Sequence, residues 1–173
     1  IVVDKRLHTT ADNIWAMGDV TGGLQFTYIS LDDYRIVRDE LLGEGKRSTD
    51  DRKNVPYSVF MTPPLSRVGM TEEQARESGA DIQVVTLPVA AIPRARVMND
   101  TRGVLKAIVD NKTQRMLGAS LLCVDSHEMI NIVKMVMDAG LPYSILRDQI
   151  FTHPSMSESL NDLFSLVKLT QNQ

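Results

Sequence analysis

The spacing of apolar residues in the first third of the chain predicts a strand, a loop and a helix. The opening segment IVVDKRL is apolar and β-branched at its start, which favours a strand over residues 1–7. The sequence GDVTGG, at residues 18–23, has the three glycines of a loop. Apolar residues then recur at helical spacing between residues 25 and 42, and Gly43 provides a stop, so a helix is predicted there.

The pattern changes to strands and short helices after residues 43–54, a polar and charged segment that is predicted to be a linker. Five segments have the length and apolar content of strands: VPYSVFM, LSRVGM, DIQVVTLPV, GVLKAIVD and MLGASLLCV. The last three follow one another closely enough to form an antiparallel meander. Thr71 and Gln74 have the spacing of a capping box, which predicts a short helix ending at Gly79.

The most apolar helix is predicted to run from Ser126, as its cap, to about Ala139. Apolar residues cover most of its circumference, so it should be buried on more than one side. One side can face its own sheet, and the other can face either a second subunit or more of the same core. A short helix is predicted from Ser144 and a last one from about Ser155 to Val167. The predicted fold class is therefore α+β, an antiparallel sheet with helices.

Composition and charge exclude several classes of partner. The 173 residues are 43% hydrophobic and 24% charged, with a formal net charge of −3, which is typical of a soluble globular protein. No basic cluster is dense enough to favour nucleic acid or an anionic membrane, and no apolar run approaches membrane-spanning length. The single cysteine, Cys123, excludes an intrachain disulfide and is consistent with a cytoplasmic location. The chain begins without methionine inside an expected strand, so we interpret it as a C-terminal fragment of a longer protein.

Few residues outside two short motifs have the pattern of a chemical site. Cys123 lies in an apolar run and is expected to be a buried thiol with no redox role, because dithiol chemistry needs two cysteines. No set of His, Cys, Asp and Glu residues has the spacing of a zinc site, so no metal site is predicted.

The first motif is the pair Gly18–Asp19, which follows an apolar run and precedes the first helix. A carboxylate at such a position can accept hydrogen bonds from a sugar-like hydroxyl, and the glycine lets a ligand approach the backbone. The same pair can equally be a simple turn at the start of a helix. Spacing alone favours the turn.

The second motif is THPSMSE, residues 152–158, and it has two interpretations. Ser155 and Glu158 have the spacing of a capping box, in which case His153 is incidental. Alternatively, Glu158 orients His153 as an acid–base group, since histidine titrates near neutrality. The local sequence alone favours the cap.

Four segments, in order along the chain, resemble the class I pyridine nucleotide–disulfide oxidoreductases. TTADNIWAMGDVTG resembles the end of the family's FAD domain, with Trp15 in place of the usual tyrosine. MTPPLSRVGMTEEQAR resembles the start of the dimerisation domain, and GVLKAIVDNKTQRMLGASLLCVDSHEMI resembles its central strands and following helix. THPSMSE resembles His-Pro-Thr-x-x-Glu, with Ser155 in place of threonine. The enterobacterial mercuric-reductase-like branch, including the reactive chlorine resistance flavoprotein, is the most similar.

The resemblance implies that residues 1–53 are the tail of an FAD domain with a linker and that residues 54–173 are the dimerisation domain of a homodimer. It implies that the parent protein uses FAD and NAD(P)H to reduce a disulfide, a metal ion such as mercury or copper, or another oxidant through a redox dithiol. The glycine-rich nucleotide-binding loops and the Cys-x4-Cys pair of the family are missing here. The isolated chain is therefore expected to bind neither cofactor and to be inactive. The alternative is a stand-alone, non-catalytic dimerisation module.

The resemblance also implies which residues approach the flavin. It places Asp19, next to Gly18, against the ribityl chain. Gln25, Phe26 and Thr27 lie where the family's backbone amides approach the flavin ring, although this segment departs from the family's usual Leu-Ala-His.

The family resemblance reverses the preference at the second motif. It implies that His153 faces the flavin and dithiol of the other subunit and that Glu158 tunes it. Mercuric reductases have tyrosine at this position, so the histidine restores a thiol acid–base role to the expected chemistry.

Overall fold

The computed structural model describes residues 1–168, which form two compact units, one from Ile1 to Lys53 and one from Asn54 onward. The first unit contains one long helix, and the second contains the sheet and five helices.

The first unit is organised around helix α1, Thr27–Leu42, which agrees closely with the predicted helix. Its buried positions are Ile29, Asp33 and Ile36, so one charged residue lies on the buried face. Single turns of 3-10 helix, Gly18–Thr21 and Thr49–Asp51, lie on either side of α1 along the chain.

The predicted strand over residues 1–7 is wrong. The Asp4 carboxylate accepts hydrogen bonds from the backbone N–H groups of Arg6 (2.8 Å) and His8 (3.0 Å), which closes a turn in the middle of the segment. Leu7 has a φ of 67°, which is incompatible with an extended strand. His8 forms an isolated antiparallel bridge with Trp15, just after this segment.

The second unit contains a five-stranded antiparallel sheet in which every predicted strand is present. The strands are β1 Tyr57–Val59, β2 Leu65–Gly69, β3 Ile82–Pro88, β4 Val104–Asp110 and β5 Met116–Leu122. Their order is β1-β2-β5-β4-β3, so the last three strands form the predicted meander and β2 joins its open side. At the edge of the sheet, the side-chain amide of Gln83 in β3 makes two hydrogen bonds with the backbone of Lys168, at 2.8 and 2.9 Å.

Five helices flank this sheet in the described part of the unit. They are α2 Glu72–Glu77, α3 Pro93–Val97, α4 Ser126–Asp138, α5 Ser144–Asp148 and α6 Ser159–Ser165. The predicted capping box of α2 is confirmed, with reciprocal bonds of 3.0 and 2.9 Å between Thr71 and Gln74. Helix α3, with Pro93 at its first position, was not predicted. Helix α6 begins about one turn later than predicted.

Ser126 does not cap α4, as the sequence suggested. Asp125 occupies the cap position with a left-handed backbone, and Ser126 is already helical. The buried Ser126 hydroxyl instead donates to the Pro64 carbonyl (2.9 Å) and lies 2.9 Å from the Ser66 hydroxyl of β2. The serine therefore ties α4 to the sheet, because both partners are distant in sequence and fixed by the β2 strand.

The core of the second unit lies between one face of the sheet and the helices α4 and α6. Apolar side chains from all three are fully buried in it: Val68, Leu105, Ala107, Leu121, Met129, Ile130, Val133, Leu160, Leu163 and Phe164. Helix α4 has a second, exposed side, where the Met135 side chain is 71% exposed. The apolar side chains of α6 are thus buried in the core of their own chain, whereas Met135 of α4 is exposed.

We predict that Ser126→Ala destabilises the chain by about 1 kcal/mol, because it removes the hydrogen bonds that this fully buried hydroxyl makes to the Pro64 carbonyl and the Ser66 hydroxyl. Urea denaturation measures the change in the free energy of unfolding. The matched control is Ser165→Ala, whose hydroxyl donates to a carbonyl at an exposed position and should cost under about 0.5 kcal/mol. Equal losses in the two variants would contradict this account of Ser126.

Candidate functional site

The His153 and Glu158 side chains meet just before α6. Nδ1 of His153 lies 2.8 Å from Oε2 of Glu158. The other carboxylate oxygen, Oε1, accepts a hydrogen bond from the backbone N–H of Ser155 at 3.2 Å, and the Ser155 hydroxyl accepts one from the Glu158 N–H at 3.2 Å. The Ser155–Glu158 bonds have the reciprocal pattern of a capping box, but they close a turn before α6, which begins at Ser159 with Glu158 in the cap position and no side-chain capping bond. The predicted helix cap is therefore wrong in its position, and one carboxylate closes this turn with one oxygen and contacts the histidine with the other.

The two partners differ in exposure in a way that suits proton transfer. The Glu158 side chain is 16% exposed, whereas that of His153 is 70% exposed. A carboxylate at Nδ1 favours the tautomer with the proton on Nδ1, which leaves Nε2 as the nitrogen that exchanges a proton. Nε2 has no hydrogen-bond partner within residues 1–168. The arrangement is an oriented imidazole with one nitrogen accessible.

The other two histidines lack this arrangement. Nδ1 of His8 lies 3.3 Å from the Asp4 carboxylate, but both belong to the turn at the start of the chain. Nδ1 of His127 is buried and makes no hydrogen bond, and its ring packs at a tilt against Phe60. Within the described residues, no group of three or more His, Cys, Asp and Glu side chains is placed to hold a metal ion.

The predicted flavin-contacting residues lie in the segment that leads into α1. Gly18 and Asp19 start the 3-10 turn, and the Asp19 side chain is exposed. Gly18 has a φ of +74°, and a Cβ there would come 3.0 Å from the Ser30 hydroxyl oxygen of α1. A glycine is thus required at this position both by backbone conformation and by the close approach of the helix.

Gln25, Phe26 and Thr27 form the entry to α1. Phe26 is the cap residue and Thr27 the first helical residue, while Gln25 is exposed. The Phe26 ring stacks on that of Tyr28, with 5.1 Å between ring centroids. The N-terminal end of a helix carries partial positive charge, which suits the approach of an electron-rich ligand. These positions are consistent with a flavin contact, which remains a prediction.

A charge network centred on the buried Asp33 contacts the segment 18–21, and sequence reasoning missed it. Asp33 of α1 accepts a hydrogen bond from the Gly18 N–H at 2.7 Å with one oxygen and pairs with the Arg52 guanidinium with the other. Arg52 also donates to Asp32 at 2.7 Å, and Arg47 donates to Asp32 at 2.9 Å. Burial works to lower the pKa of Arg52, but its hydrogen bonds to Asp33 and Asp32 outweigh burial and raise it. The available signal was an aspartate on the buried face of α1, between Ile29 and Ile36.

A cavity of about 420 Å³ opens within the first unit. Its lining includes Thr21, Leu24, Ile29, Asp33 and Arg52. None of the five predicted flavin-contacting residues lines it, although Thr21 and Leu24 lie between two of them in the sequence.

The family of the chain follows from comparison with known proteins. Residues 55–164 match the pyridine nucleotide-disulphide oxidoreductase dimerisation domain, and the chain therefore belongs to this family. This confirms the resemblance drawn from the four sequence segments. It also confirms the α+β fold with an antiparallel sheet.

Known proteins that are similar to this chain include mercuric reductases and dihydrolipoyl dehydrogenases. Mercuric reductase from Staphylococcus aureus is 36% identical over 160 residues, which are 92% of this chain and 29% of the relative. Dihydrolipoyl dehydrogenase from Mycobacterium tuberculosis is 30% identical over 164 residues, which are 95% of this chain and 35% of the relative. The chain thus spans about a third of the length of these relatives, and its branch within the family stays a prediction.

A solved structure shares the fold. The crystal structure of LpdA from Mycobacterium tuberculosis matches with a TM-score of 0.84 over 96% of this chain and 36% of that one, at 24% sequence identity. Among residues 1–168, no helix has both the length and the apolar character that crossing a bilayer requires.

We predict that Cys123 is unreactive in the folded chain. The residue is fully buried, its Sγ lies 3.9 Å from the Met129 sulfur, and burial, with a smaller contribution from Asp125 and Asp100, raises the pKa of the thiol to about 12. Almost no thiolate is then present at about pH 8, and the reagent has no access to the sulfur. Titration with DTNB should show no reactive thiol in the native chain and one in urea. Rapid stoichiometric labelling of the native chain would refute the assignment of Cys123 as an inert core residue.

Proposed function

We propose that this chain is the C-terminal region of an FAD- and NAD(P)H-dependent oxidoreductase that reduces its acceptor through a redox dithiol. In this proposal residues 1–53 end the FAD domain and residues 54–173 form the dimerisation domain. The observation that carries it is the His153–Glu158 contact of 2.8 Å, within a chain whose residues 55–164 match the family's dimerisation domain. Mercuric reductase and dihydrolipoyl dehydrogenase, both oxidoreductases by name, are among its relatives.

The role proposed for His153 follows from the proton balance of the reaction. Reducing a disulfide to two thiols consumes two electrons and two protons, and each thiolate that leaves must be protonated near neutral pH. Nε2 of His153 can give a proton to a leaving thiolate and take one from an attacking thiol. The Glu158 carboxylate holds the ring by Nδ1 and stabilises the imidazolium when both nitrogens are protonated.

The chain supplies only part of a flavin site in this proposal. An exposed carboxylate on Asp19 fits the hydroxyl groups of a ribityl chain, and the N-terminal end of α1 fits an electron-rich ring. Bound FAD would supply two-electron transfer between NAD(P)H and the dithiol. Because the sequence holds no glycine-rich phosphate loop, we assign both cofactors to the whole protein and neither to residues 1–173 alone.

One observation favours a second candidate, a stand-alone dimerisation module without catalysis. The single cysteine is buried in the core, so this chain alone cannot supply a redox dithiol. The mass of the protein detected in cell extract by an antibody to this region separates the two. A product more than about twice the size of the chain supports the reductase, since each domain of such a protein is of ordinary size.

We further propose that the protein is a cytoplasmic homodimer whose interface lies in the second unit. Several apolar side chains of that unit are exposed in the single chain, among them Met135, Ile145 and Ile150. Ile150, which lies three residues before His153, is 94% exposed. A second copy that covers this surface would bring the exposed histidine to the subunit boundary, as a shared active site requires.

We predict that the chain is a dimer in solution and that Met135→Glu and Ile150→Glu together make it monomeric, because they introduce charge into the apolar surface. Light scattering at high micromolar concentration measures the mass. The control is Leu42→Glu, which changes an equally exposed apolar residue in the first unit and should leave the dimer intact. A monomer mass for the unmodified chain would contradict the proposed homodimer.

We predict that His153→Gln, in the full-length protein, lowers turnover with a disulfide or quinone acceptor by about 100- to 10,000-fold. Flavin content and oligomeric state should be unchanged, because the His153 side chain is largely exposed. Glu158→Gln should have the same effect in milder form.

The control for this prediction is Ser155→Ala, which removes the hydrogen bond from the Glu158 N–H to the Ser155 hydroxyl at a cost of about 1 kcal/mol and spares the histidine. A metal-ion acceptor is tested in parallel, because its reduction needs little proton transfer and should be less sensitive to the substitution. Near-normal disulfide turnover in His153→Gln would mean that the motif is only the turn that precedes α6.

A further inference from the structure

We infer that Asp33 is the positioning residue for the cofactor loop, the turn Gly18–Thr21, and that it holds the backbone at Gly18 so that Asp19 is presented to the flavin. The inference rests on the proposed flavin contact of Asp19 and adds to it a residue that touches neither cofactor nor substrate. Asp33 lies on α1, and its two carboxylate oxygens contact the Gly18 N–H and the Arg52 guanidinium.

The loop is held on three sides at Gly18. Its N–H donates to Asp33 at 2.7 Å, and its carbonyl accepts a hydrogen bond from the Thr21 hydroxyl at 2.8 Å. The third side is packed so closely against Ser30 that a Cβ would lie 3.0 Å from the hydroxyl oxygen. With these contacts the backbone entering Asp19 is fixed, while the Asp19 side chain is exposed and able to bind. Such preorganisation lowers the entropy that a ligand must remove on binding.

Burial of the charge explains why Arg52 is part of the arrangement. Asp33 is 1% exposed, and a buried carboxylate is costly unless it is paired and hydrogen-bonded. Arg52 provides the paired charge from the segment that follows α1, and its Nε is held in turn by Asp32. Arg52, in the polar segment after α1, is therefore linked to Gly18 through the Asp33 carboxylate.

The adjacent residue Asp32 separates positioning from general stabilisation. Asp32 shares Arg52 with Asp33 and also pairs with Arg47, but among the described residues its carboxylate makes no hydrogen bond with the cofactor loop. Alanine at either position removes one partner of Arg52. Alanine at Asp33 alone releases the Gly18 N–H.

The experiment compares Asp33→Ala with Asp32→Ala in the full-length flavoprotein. The dissociation constant for FAD is measured by flavin fluorescence, and the visible absorption bands of the bound flavin are recorded. We expect Asp33→Ala to weaken FAD binding about tenfold and to alter the flavin bands, since a hydrogen bond to a charged group is lost. Asp32→Ala should stay within about twofold of the unmodified protein. Equal effects of the two variants overturn the inference.

A third variant, Asp33→Asn, keeps an oxygen for the Gly18 N–H but loses the charge paired with Arg52. It should bind FAD within about threefold of the unmodified protein while losing thermal stability, because the bond to Gly18 and not the ion pair positions the loop. FAD binding as weak as in Asp33→Ala would count against the positioning role.

Failure of the flavin contact itself is recognised separately. Asp19→Ala should weaken FAD binding if that contact exists, whatever happens at Asp33. If Asp19→Ala has no effect, the proposed flavin contact is wrong and the inference falls with it. If Asp19→Ala weakens binding and Asp33→Ala does no more than Asp32→Ala, only the inference is wrong.

A measurement on the unmodified holoprotein does not depend on any variant folding. Hydrogen exchange of the Gly18 amide should be slow, as for a buried hydrogen-bonded N–H. Exchange as fast as that of an exposed loop amide overturns the inference.

Discussion

A carboxylate has two acceptor oxygens, and both candidate sites depend on using each of them for a different donor. Glu158 takes a backbone N–H on one oxygen and the His153 ring on the other. Asp33 takes the Gly18 N–H on one oxygen and the Arg52 guanidinium on the other. In each case one hydrogen bond holds a backbone N–H and the other holds a side chain. The same carboxylate therefore fixes both the local backbone and the position of a charged or titratable side chain.

The surroundings of the two carboxylates determine what each can do. Asp33 is buried and has a permanently charged arginine, so its arrangement is static and structural. Glu158 is partly exposed, and the imidazole that it contacts is largely exposed. The first is therefore suited to holding a loop in place, and the second to taking part in a reaction.

Local pattern predicted the elements whose stability is local. Helix α1, the capping box of α2 and all five strands follow from apolar spacing and turn residues within each segment. The strand over residues 1–7 was wrong because the Asp4 side chain closes a turn that apolar spacing does not reveal. Ser126 was misassigned because its partners lie about 60 residues away, on a strand whose position the local sequence does not specify.

The candidate sites divide in the same way. His153 and Glu158 are five residues apart, so both partners of the contact lie in one short sequence motif. The family resemblance was needed to choose between the two interpretations of that motif. Asp33 contacts residues 15 and 19 positions away, across a loop and beyond the end of α1. The contacts of Asp33 depend on tertiary structure. The one sequence signal for them was a charged residue on the buried face of α1.

The pairing of Gln83 with the Lys168 backbone has a consequence for how the chain avoids aggregation. An edge strand exposes unpaired peptide groups to which a strand of another molecule can add. Here a side-chain amide acts as a peptide group would, donating to the Lys168 carbonyl and accepting from the Lys168 N–H. The opposite edge, β1, is three residues long and offers little template for such growth. Among the described residues, each edge of the sheet thus carries one feature that works against the addition of a strand from another molecule.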